Sequence, residues 1–349
     1  MKTIEPTPAS FAGFKKSTPR TVSFSPQELV RTGFLDASSS IPLVIEPAIG
    51  DLDIAGWAAG QRDFLESSLL KHGAILFRGF RVSSVEEFER FALAICPQLF
   101  GEYGDLPSEG ESKKVYKSTP YPADRTILFH NESSHQHRWP AKQWFFCVKA
   151  AAERGETPIV DCRQIYARLE PAVRDRFERL GLIYVRNFVD GLDVSWQDFF
   201  RTGERSRVEE YCRGAGIELE WLGGGGLKTR QKCPAVIRHP RTGEKSFFNQ
   251  IQLHHVSFLE PAERSSLLSL YGVEGLPRNV YFGDGSAISD DDARAIGELY
   301  WDVAAQFPWQ EEDVLMLDNM LTAHARNPYR GERKIVVAMG EMVASGDVI

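Results

Sequence analysis

Two imidazoles and one carboxylate in this sequence have the residue types and the spacing of ligands to a single metal ion. His130 and Glu132 stand two positions apart at the end of the apolar run 125–129, and His324 follows another apolar run near the end of the chain. In an extended strand, residues two apart project to the same face, so His130 and Glu132 can reach one ion while Asn131 points away. Adding His324 would complete one face of an octahedron and leave the opposite face open, as in non-haem Fe(II) oxygenases. The pattern therefore predicts an iron site.

By itself the His-x-Glu triplet is weak evidence, because a histidine after a strand is more often a surface or hydrogen-bonded residue. His135 and His137 follow closely and can also reach a metal from a loop. Their simpler interpretation is as solvated loop histidines or as hydrogen-bond donors behind the ligands. A closed zinc site would normally add a cysteine or a fourth protein ligand. Neither candidate segment contains a cysteine.

Length and composition favour one folded domain. The 349 residues would be enough for two domains, yet His130 and His324 can share a metal only if the residues between them fold back into one body. We therefore expect a flexible extension over residues 1–23, rich in Pro, Thr, Ser and Lys, followed by a single domain over residues 24–349. An apolar content of 42% is sufficient for its core.

Charge and cysteine content restrict the kinds of binding partner and the cellular compartment that we expect. The net charge of −7 comes without a basic stripe, which argues against nucleic acid as a partner. Five scattered cysteines without a Cys-x-x-Cys pair predict reduced thiols in a cytoplasmic protein. No membrane span is predicted, and residues 1–20 lack the apolar region of a secretory signal. None of these patterns determines an oligomeric state.

Apolar periodicity predicts the elements that must position the candidate ligands. We expect strands over residues 42–46, 74–80, 127–132, 143–148, 157–161, 182–188, 217–222, 235–239, 313–318 and 334–339. Helices are predicted after Ser25, over 53–71, 84–95, 171–180, 206–214 and 261–271, and from Ser289 onward. The last two strands bracket His324 and a loop, and residues 96–121 predict a long loop near the mouth of the site. Short strands separated by turns indicate an antiparallel sandwich or barrel.

Further motifs stand in a fixed order around the three candidate ligands: Gly-Glu-Thr at 155–157, Asp-Asn at 318–319, and Arg333 before the last strand. Together they resemble the Fe(II)/2-oxoglutarate-dependent oxygenases of the taurine dioxygenase (TauD/TfdA) and clavaminate synthase-like family. The segment 239–250, which begins His-Pro-Arg-Thr-Gly-Glu, is most similar to the branch that includes the SyrP-type hydroxylases. The resemblance covers residues 40–345.

This resemblance implies an α+β fold with a double-stranded β-helix (jelly roll) core, flanking helices, and iron held between the sheets. His130, Glu132 and His324 match the metal-ligand positions of the family. Thr157 matches the position that helps to hold the 2-oxoglutarate cosubstrate, and Arg333 matches the arginine that pairs with its distal carboxylate.

A guanidinium suits the distal carboxylate, because it can form a bidentate pair where a lysine would supply only a point charge. The structural alternative for Arg333 is a surface arginine at the start of a strand. Arg326 and Arg330 are rivals for the same role.

Two features depart from the taurine dioxygenase pattern. The carboxylate ligand is Glu132 where the taurine branch has Asp, and its presence argues against the related halogenases, in which a small residue replaces the carboxylate. Val337 stands where several relatives keep a second arginine for an acidic group of the substrate. The resemblance thus favours oxygenation over chlorination and weakens the case for taurine as the substrate.

The implied reaction uses Fe(II), 2-oxoglutarate and O2, and yields succinate and CO2 together with a hydroxylated substrate. The SyrP-type branch makes the expected substrate an amino acid in specialised-metabolite biosynthesis, either free or tethered to an aminoacyl or peptidyl carrier protein. Tethering fits Val337, because a thioester has no free α-carboxylate to pair. Arg238, His135 and Asn249 are candidate substrate contacts, although each also has a structural interpretation.

Two other classes of protein remain open from the sequence. One is a jelly-roll metal-dependent hydrolase or isomerase that does not use 2-oxoglutarate, for which Thr157 and Arg333 would have no carboxylate to bind. The other is a non-catalytic jelly-roll binding protein, which the intact set of three ligands disfavours.

Overall fold

The computed structural model of the chain describes residues 28–35, 40–100, 114–117, 121–189 and 193–348. The strands in these ranges are β1 (Val30–Gly33), β2 (Leu43–Pro47), β3 (Ala74–Phe77), β4 (Val115–Lys117), β5 (Ile127–His130), β6 (Arg138–Lys149), β7 (Glu153–Arg154), β8 (Ile159–Asp161), β9 (Leu182–Phe188), β10 (Glu218–Trp221), β11 (Leu227–Cys233), β12 (Val236–Arg238), β13 (Lys245–Phe247), β14 (Arg278–Phe282), β15 (Val314–Asp318), β16 (Thr322–Arg326), β17 (Tyr329–Arg330) and β18 (Lys334–Ala344).

The helices in the same ranges are α1 (Ile54–Ala59), α2 (Arg62–His72), α3 (Val85–Ile95), α4 (Cys162–Arg168), α5 (Pro171–Leu180), α6 (Trp196–Phe200), α7 (Arg205–Ala215), α8 (Ile251–His254), α9 (Pro261–Tyr271) and α10 (Asp290–Val303). None of these helices is long and apolar enough to cross a membrane.

The largest sheet has seven strands in the order β1-β2-β3-β15-β6-β18-β4, and all of its pairs are antiparallel except β2 with β3. Side chains of successive strand residues point to opposite faces, and β6 uses both. Trp144 and Phe146 pack with Phe88 and Phe91 of α3 in one core cluster, whereas Phe145 packs in another with Ile159 of β8. The sheet is therefore buried on both faces, with helices on one side and a second sheet on the other.

That second sheet has three antiparallel strands in the order β5-β16-β8. Its strands also alternate between two faces: Ile159 packs toward the seven-stranded sheet, whereas Val160, Ala323 and Ala325 belong to a third core cluster with α4, α5 and α10. The inner faces of the two sheets thus enclose the region between β6 and β16.

The remaining strands form a four-stranded sheet in the order β10-β11-β9-β14 and two short antiparallel ribbons, β12-β13 and β7-β17. The exposed glycine run at 223–226 joins β10 to β11, where Gly224 and Gly225 take positive φ angles of 72° and 88°. Only glycine adopts such angles without steric cost, so the run serves as a hairpin turn.

Each strand range predicted from the sequence overlaps a strand of the structure, and the helices α3, α5, α7, α9 and α10 were also predicted. The single helix expected over 53–71 is instead two helices, because α1 ends at Gly60 and α2 begins at Arg62. The helix expected after Ser25 lies largely outside the described residues, and the chain forms β1 from Val30 onward. Most of the loop predicted over 96–121 also lies outside the described ranges.

Replacing Phe88 with alanine should destabilise the fold without disturbing the region between the sheets. Phe88 is fully buried in α3, and its ring stacks on Phe146 with centroids 5.1 Å apart. Removing a buried phenylalanine costs about 3–5 kcal/mol of unfolding free energy. Urea unfolding checks this prediction, with Leu270→Ala as the control because Leu270 is 72% exposed. Equal unfolding midpoints for the two variants would contradict the packing described here.

Candidate metal centre

His130 and His324 are directly opposite each other on the antiparallel strands β5 and β16. Their ring centroids are 4.3 Å apart, and one ligand atom from each ring and one from Glu132 all lie within 4.8 Å of one another. Cross-strand partners project to the same face of a sheet, so the strand register itself brings the two imidazoles together. The three residues whose spacing suggested a metal site are therefore adjacent in the fold.

Glu132 reaches the two histidines from a turn. The prediction that it continues the strand is wrong, because β5 ends at His130 and residues 132–135 form a turn in which Ser133 has a φ of 56°. The side chain of Asn319 fixes this turn: its Oδ1 accepts from the Glu132 backbone N–H at 2.7 Å, and its Nδ2 donates to the Glu132 carbonyl at 3.0 Å. Asn319 is fully buried.

The two imidazoles have nitrogens available for a metal ion. The Nδ1 of His130 lies 2.8 Å from the Leu128 carbonyl oxygen, and because a carbonyl only accepts, Nδ1 carries a proton and Nε2 is the nitrogen that can offer a lone pair to a metal. His324 packs against Phe145, and its Nδ1 is buried without a hydrogen-bond partner among the described residues. Burial and the neighbouring His130 hold the pKa of His324 well below its usual value, so the ring is neutral, the form that binds metals.

The carboxylate of Glu132 is oriented by Gln143 of β6, whose Nε2 donates to Oε2 at 3.3 Å. Gln143 is almost fully buried, and its own Oε1 has no partner within the described residues. A carboxylate that is hydrogen-bonded from behind while it faces two imidazoles is the donor set of a divalent-metal site with open positions. The residues present therefore fit a bound iron ion.

An arginine lies in the same pocket without a carboxylate partner. Arg333 donates from Nε to the Gly155 carbonyl at 2.9 Å and from Nη2 to the hydroxyl of Thr157 at 3.4 Å. Within the described ranges it forms no ion pair, and burial together with the nearby positive charge of Arg326 lowers its pKa to about 10. Trp309 donates to the same Thr157 hydroxyl at 3.1 Å. The arrangement leaves a half-buried positive charge that an anionic ligand would neutralise.

The pocket that joins these groups encloses about 470 Å³, including its open mouth. Besides the three candidate ligands, Gln143, Thr157, Arg326 and Arg333, its walls consist of the apolar residues Ile127, Phe145, Ala325, Ile335 and Val337. Val337 is nearly fully buried, so this position presents an aliphatic surface to the pocket.

The rival arginines have other partners. Arg330 is 84% exposed and faces Glu153 across the β7-β17 ribbon. Arg326 lines the pocket, but its guanidinium donates to the backbone carbonyls of Tyr121, Pro122 and Arg125. Arg326 therefore connects the segment 121–125 to β16, whereas the guanidinium of Arg333 remains available to a ligand in the pocket.

The three candidate substrate contacts lie in different places. Arg238 is exposed on the β12-β13 hairpin, donates to the Gly243 carbonyl, and does not line the pocket. Asn249 is buried, and its backbone N–H and carbonyl both bond to Asn131. His135 is half-buried beside His254 and Tyr184, with ring centroids 5.3 and 6.1 Å away, and burial lowers its pKa.

Several residues that build the site were not found by sequence reasoning. Gln143 and Trp309 lie in or near apolar segments, where neither shows a spacing relationship to the ligands. Asn131 was expected only to point away, yet its amide donates to the Asn319 carbonyl at 2.7 Å. Asn319 stood out in the sequence only as part of the Asp-Asn motif, and its side chain holds the backbone of Glu132. Such contacts join residues far apart in sequence, and no local pattern reports them.

Comparison with known proteins places the chain in a family. Residues 39–339 match the family model described as "Taurine catabolism dioxygenase TauD, TfdA family". The dapdiamide synthesis protein DdaC of Enterobacter agglomerans is 36% identical over 276 residues, which is 79% of this chain and 84% of that protein. A clavaminate synthase-like protein of Arabidopsis thaliana is 28% identical over 325 residues, 86% of this chain and 94% of that protein.

Solved structures support the fold. PvcB of Pseudomonas aeruginosa matches with a TM-score of 0.53 at 15% identity, over 93% of this chain and 95% of that one. PvcB is described as an Fe, alpha-ketoglutarate dependent oxygenase from an isonitrile synthetic pathway. A putative alpha-ketoglutarate-dependent taurine dioxygenase from Burkholderia xenovorans matches with a TM-score of 0.51 at 16% identity, over 90% and 97% of the two chains. The chain therefore belongs to the TauD/TfdA family and is a dioxygenase that depends on Fe(II), 2-oxoglutarate and O2.

Proposed function

We propose that this dioxygenase hydroxylates an unactivated C–H bond of an amino acid or amino-acid-derived substrate in specialised-metabolite biosynthesis, with succinate and CO2 as co-products. The observation that carries the proposal is the convergence of His130, Glu132 and His324 on a pocket that also contains the unpaired Arg333. The biosynthetic setting is supported by its relatives, since DdaC is a dapdiamide synthesis protein and PvcB belongs to an isonitrile synthetic pathway.

In this proposal His130, Glu132 and His324 would hold the iron at the wall of the pocket. Bound Fe(II) supplies the redox chemistry that couples 2-oxoglutarate and O2 to C–H oxidation. Gln143 and Asn319 keep the Glu132 carboxylate aimed at the two imidazoles. The apolar walls exclude water from the reacting C–H bond.

Arg333 and Thr157 bind the 2-oxoglutarate in the proposed site. A guanidinium with two fixed hydrogen bonds retains donors for a bidentate pair with the distal carboxylate, and its charge is then neutralised. The Thr157 hydroxyl, which accepts from Trp309 and from Arg333, can donate its own proton to a carboxylate oxygen. Both residues lie on the pocket wall.

Hydroxylation is proposed over chlorination because the carboxylate ligand is present. Glu132 occupies the position that a halide would need, and its backbone is held on both sides by Asn319.

The proposed identity of the substrate depends on Val337. This position is aliphatic and buried, so the pocket wall here offers no cation to a free α-carboxylate. We propose that the substrate is tethered as a thioester to an aminoacyl or peptidyl carrier protein, which would be the macromolecular partner of the enzyme.

The architecture and compartment complete the proposal. We propose that the seven-stranded and three-stranded sheets, whose inner faces enclose the site, belong to a double-stranded β-helix within a single domain over residues 24–349. All five cysteines are buried free thiols, in keeping with a reducing cytoplasm. The family membership favours a dioxygenase over the alternative hypothesis of a metal-dependent hydrolase or isomerase.

Replacing Arg333 with alanine should raise the 2-oxoglutarate dissociation constant on the order of 30-fold or more, because a buried carboxylate would lose its cation. The measurement is an anaerobic titration of the Fe(II)-loaded enzyme with 2-oxoglutarate, followed by the visible metal-to-ligand charge-transfer band. Arg330→Ala is the matched control, since Arg330 is exposed and should leave the titration unchanged. A wild-type enzyme that binds iron yet develops no band would refute the proposed cosubstrate site.

Replacing Glu132 with glutamine should weaken Fe(II) binding at least tenfold, because the variant keeps the shape of the side chain and removes its charge. The affinity is measured anaerobically by competition with a metal-sensitive dye. Glu153→Gln removes an exposed carboxylate elsewhere and should bind iron as the wild type does. Unchanged affinity in the Glu132 variant would show that the carboxylate is not a ligand.

The tethered-substrate proposal is checked by offering the same amino acids free and as carrier-protein thioesters. We expect 2-oxoglutarate-dependent succinate release, with a mass increase of one oxygen atom, for the thioesters only. Comparable turnover of free amino acids would contradict tethering while leaving the dioxygenase chemistry intact.

A further inference from the structure

The His-Pro-Arg-Thr-Gly-Glu segment begins with a buried histidine that lies outside the active-site pocket. His239, the first residue of this segment, is 1% exposed and does not line the pocket. Its Nδ1 accepts from the backbone N–H groups of Arg241 and Thr242 at 3.3 and 3.2 Å. Both bonds require an unprotonated Nδ1, so the neutral ring carries its proton on Nε2.

The Nε2 proton of His239 points to a carboxylate. Nε2 lies 3.1 Å from Oδ2 of Asp318, whose side chain is also buried. The other carboxylate oxygen, Oδ1, accepts from the backbone N–H groups of Met320 and Leu321 at 3.0 and 3.1 Å. Asp318 therefore closes the turn over residues 318–321, and His239 holds Asp318 in the orientation that makes this closure possible.

The turn at 318–321 controls two of the proposed metal ligands. It carries Asn319, whose side chain holds the Glu132 peptide on both sides, and it leads directly into β16, where His324 lies. A rotation of the turn would move Glu132 relative to His324. Hydrogen bonds one step behind metal ligands affect metal affinity by about 10–100-fold.

We propose that His239 is a positioning residue for the metal centre, which acts through Asp318 and Asn319 to hold Glu132 against the two histidines. The proposal rests on the proposed metal-ligand roles of Glu132 and His324. It assigns to the β12-β13 hairpin, which lies outside the pocket, a direct influence on how tightly the iron is held.

Two substitutions of His239 distinguish its bond to Asp318 from its bonds to the hairpin backbone at Arg241 and Thr242. Glutamine places its amide near the position of Nε2, so His239→Gln keeps a donor for Asp318. Asparagine places its carbonyl oxygen near the position of Nδ1, so His239→Asn keeps the acceptor for Arg241 and Thr242 and loses the bond to Asp318. A purely structural histidine would not distinguish the two by iron affinity.

The experiment measures the Fe(II) dissociation constant anaerobically, alongside urea unfolding of the metal-free proteins. We expect His239→Asn to weaken Fe(II) binding on the order of 10–100-fold and His239→Gln to restore affinity to within a few-fold of the wild type. At saturating iron, the 2-oxoglutarate dissociation constant should stay unchanged, because Arg333 and Thr157 lie on other segments.

Iron affinity that equals the wild-type value in both variants would overturn the positioning role. A wild-type protein that fails to bind Fe(II) would instead refute the proposed metal centre itself. If His239→Asn does not fold, Asn319→Asp tests the next link, since it keeps the acceptor for the Glu132 N–H and loses the donors to the Glu132 and Pro140 carbonyls. Wild-type iron affinity in a folded Asn319→Asp would likewise overturn the proposal.

Discussion

The metal centre depends on the register between two antiparallel strands. β5 and β16 place His130 opposite His324, and a shift of one residue would turn either ring to the other face of the sheet. The register is held from behind by apolar side chains such as Val160 and Ala323, which pack into the core with α4 and α10. Core packing and ligand geometry are thus one constraint, because the alternation that turns Ala323 into this core turns His324 toward the pocket.

The carboxylate ligand is positioned in a different way from the two histidines. Glu132 lies just beyond the end of β5, where strand geometry no longer fixes it, and the protein compensates with a buried amide from Asn319. A turn supported by side-chain hydrogen bonds can be tuned by distant residues in a way that a strand pair cannot. The site therefore combines two ligands set by the sheet and one set by a polar network.

The sequence predicted those parts of the molecule that local periodicity encodes. Apolar runs located ten strands, although not β11, β14 or β16, and the order of motifs located His130, Glu132, His324, Thr157 and Arg333, which the fold brings to one pocket. The break between α1 and α2 was missed because apolar spacing continues across Gly60. The hydrogen bonds of Asn319 were missed because its partner Glu132 lies 187 residues away in the chain. Long-range hydrogen bonds between polar residues leave no periodic signal.

The unpaired groups in the pocket have a consequence for the lifetime of the protein. A half-buried guanidinium without a carboxylate partner at Arg333 and an unsatisfied nitrogen on His324 oppose folding in the ligand-free state. Metal and 2-oxoglutarate bind only the folded chain, so each adds to its stability by mass action. A cell short of iron would hold more of this enzyme in its less stable form, open to proteases.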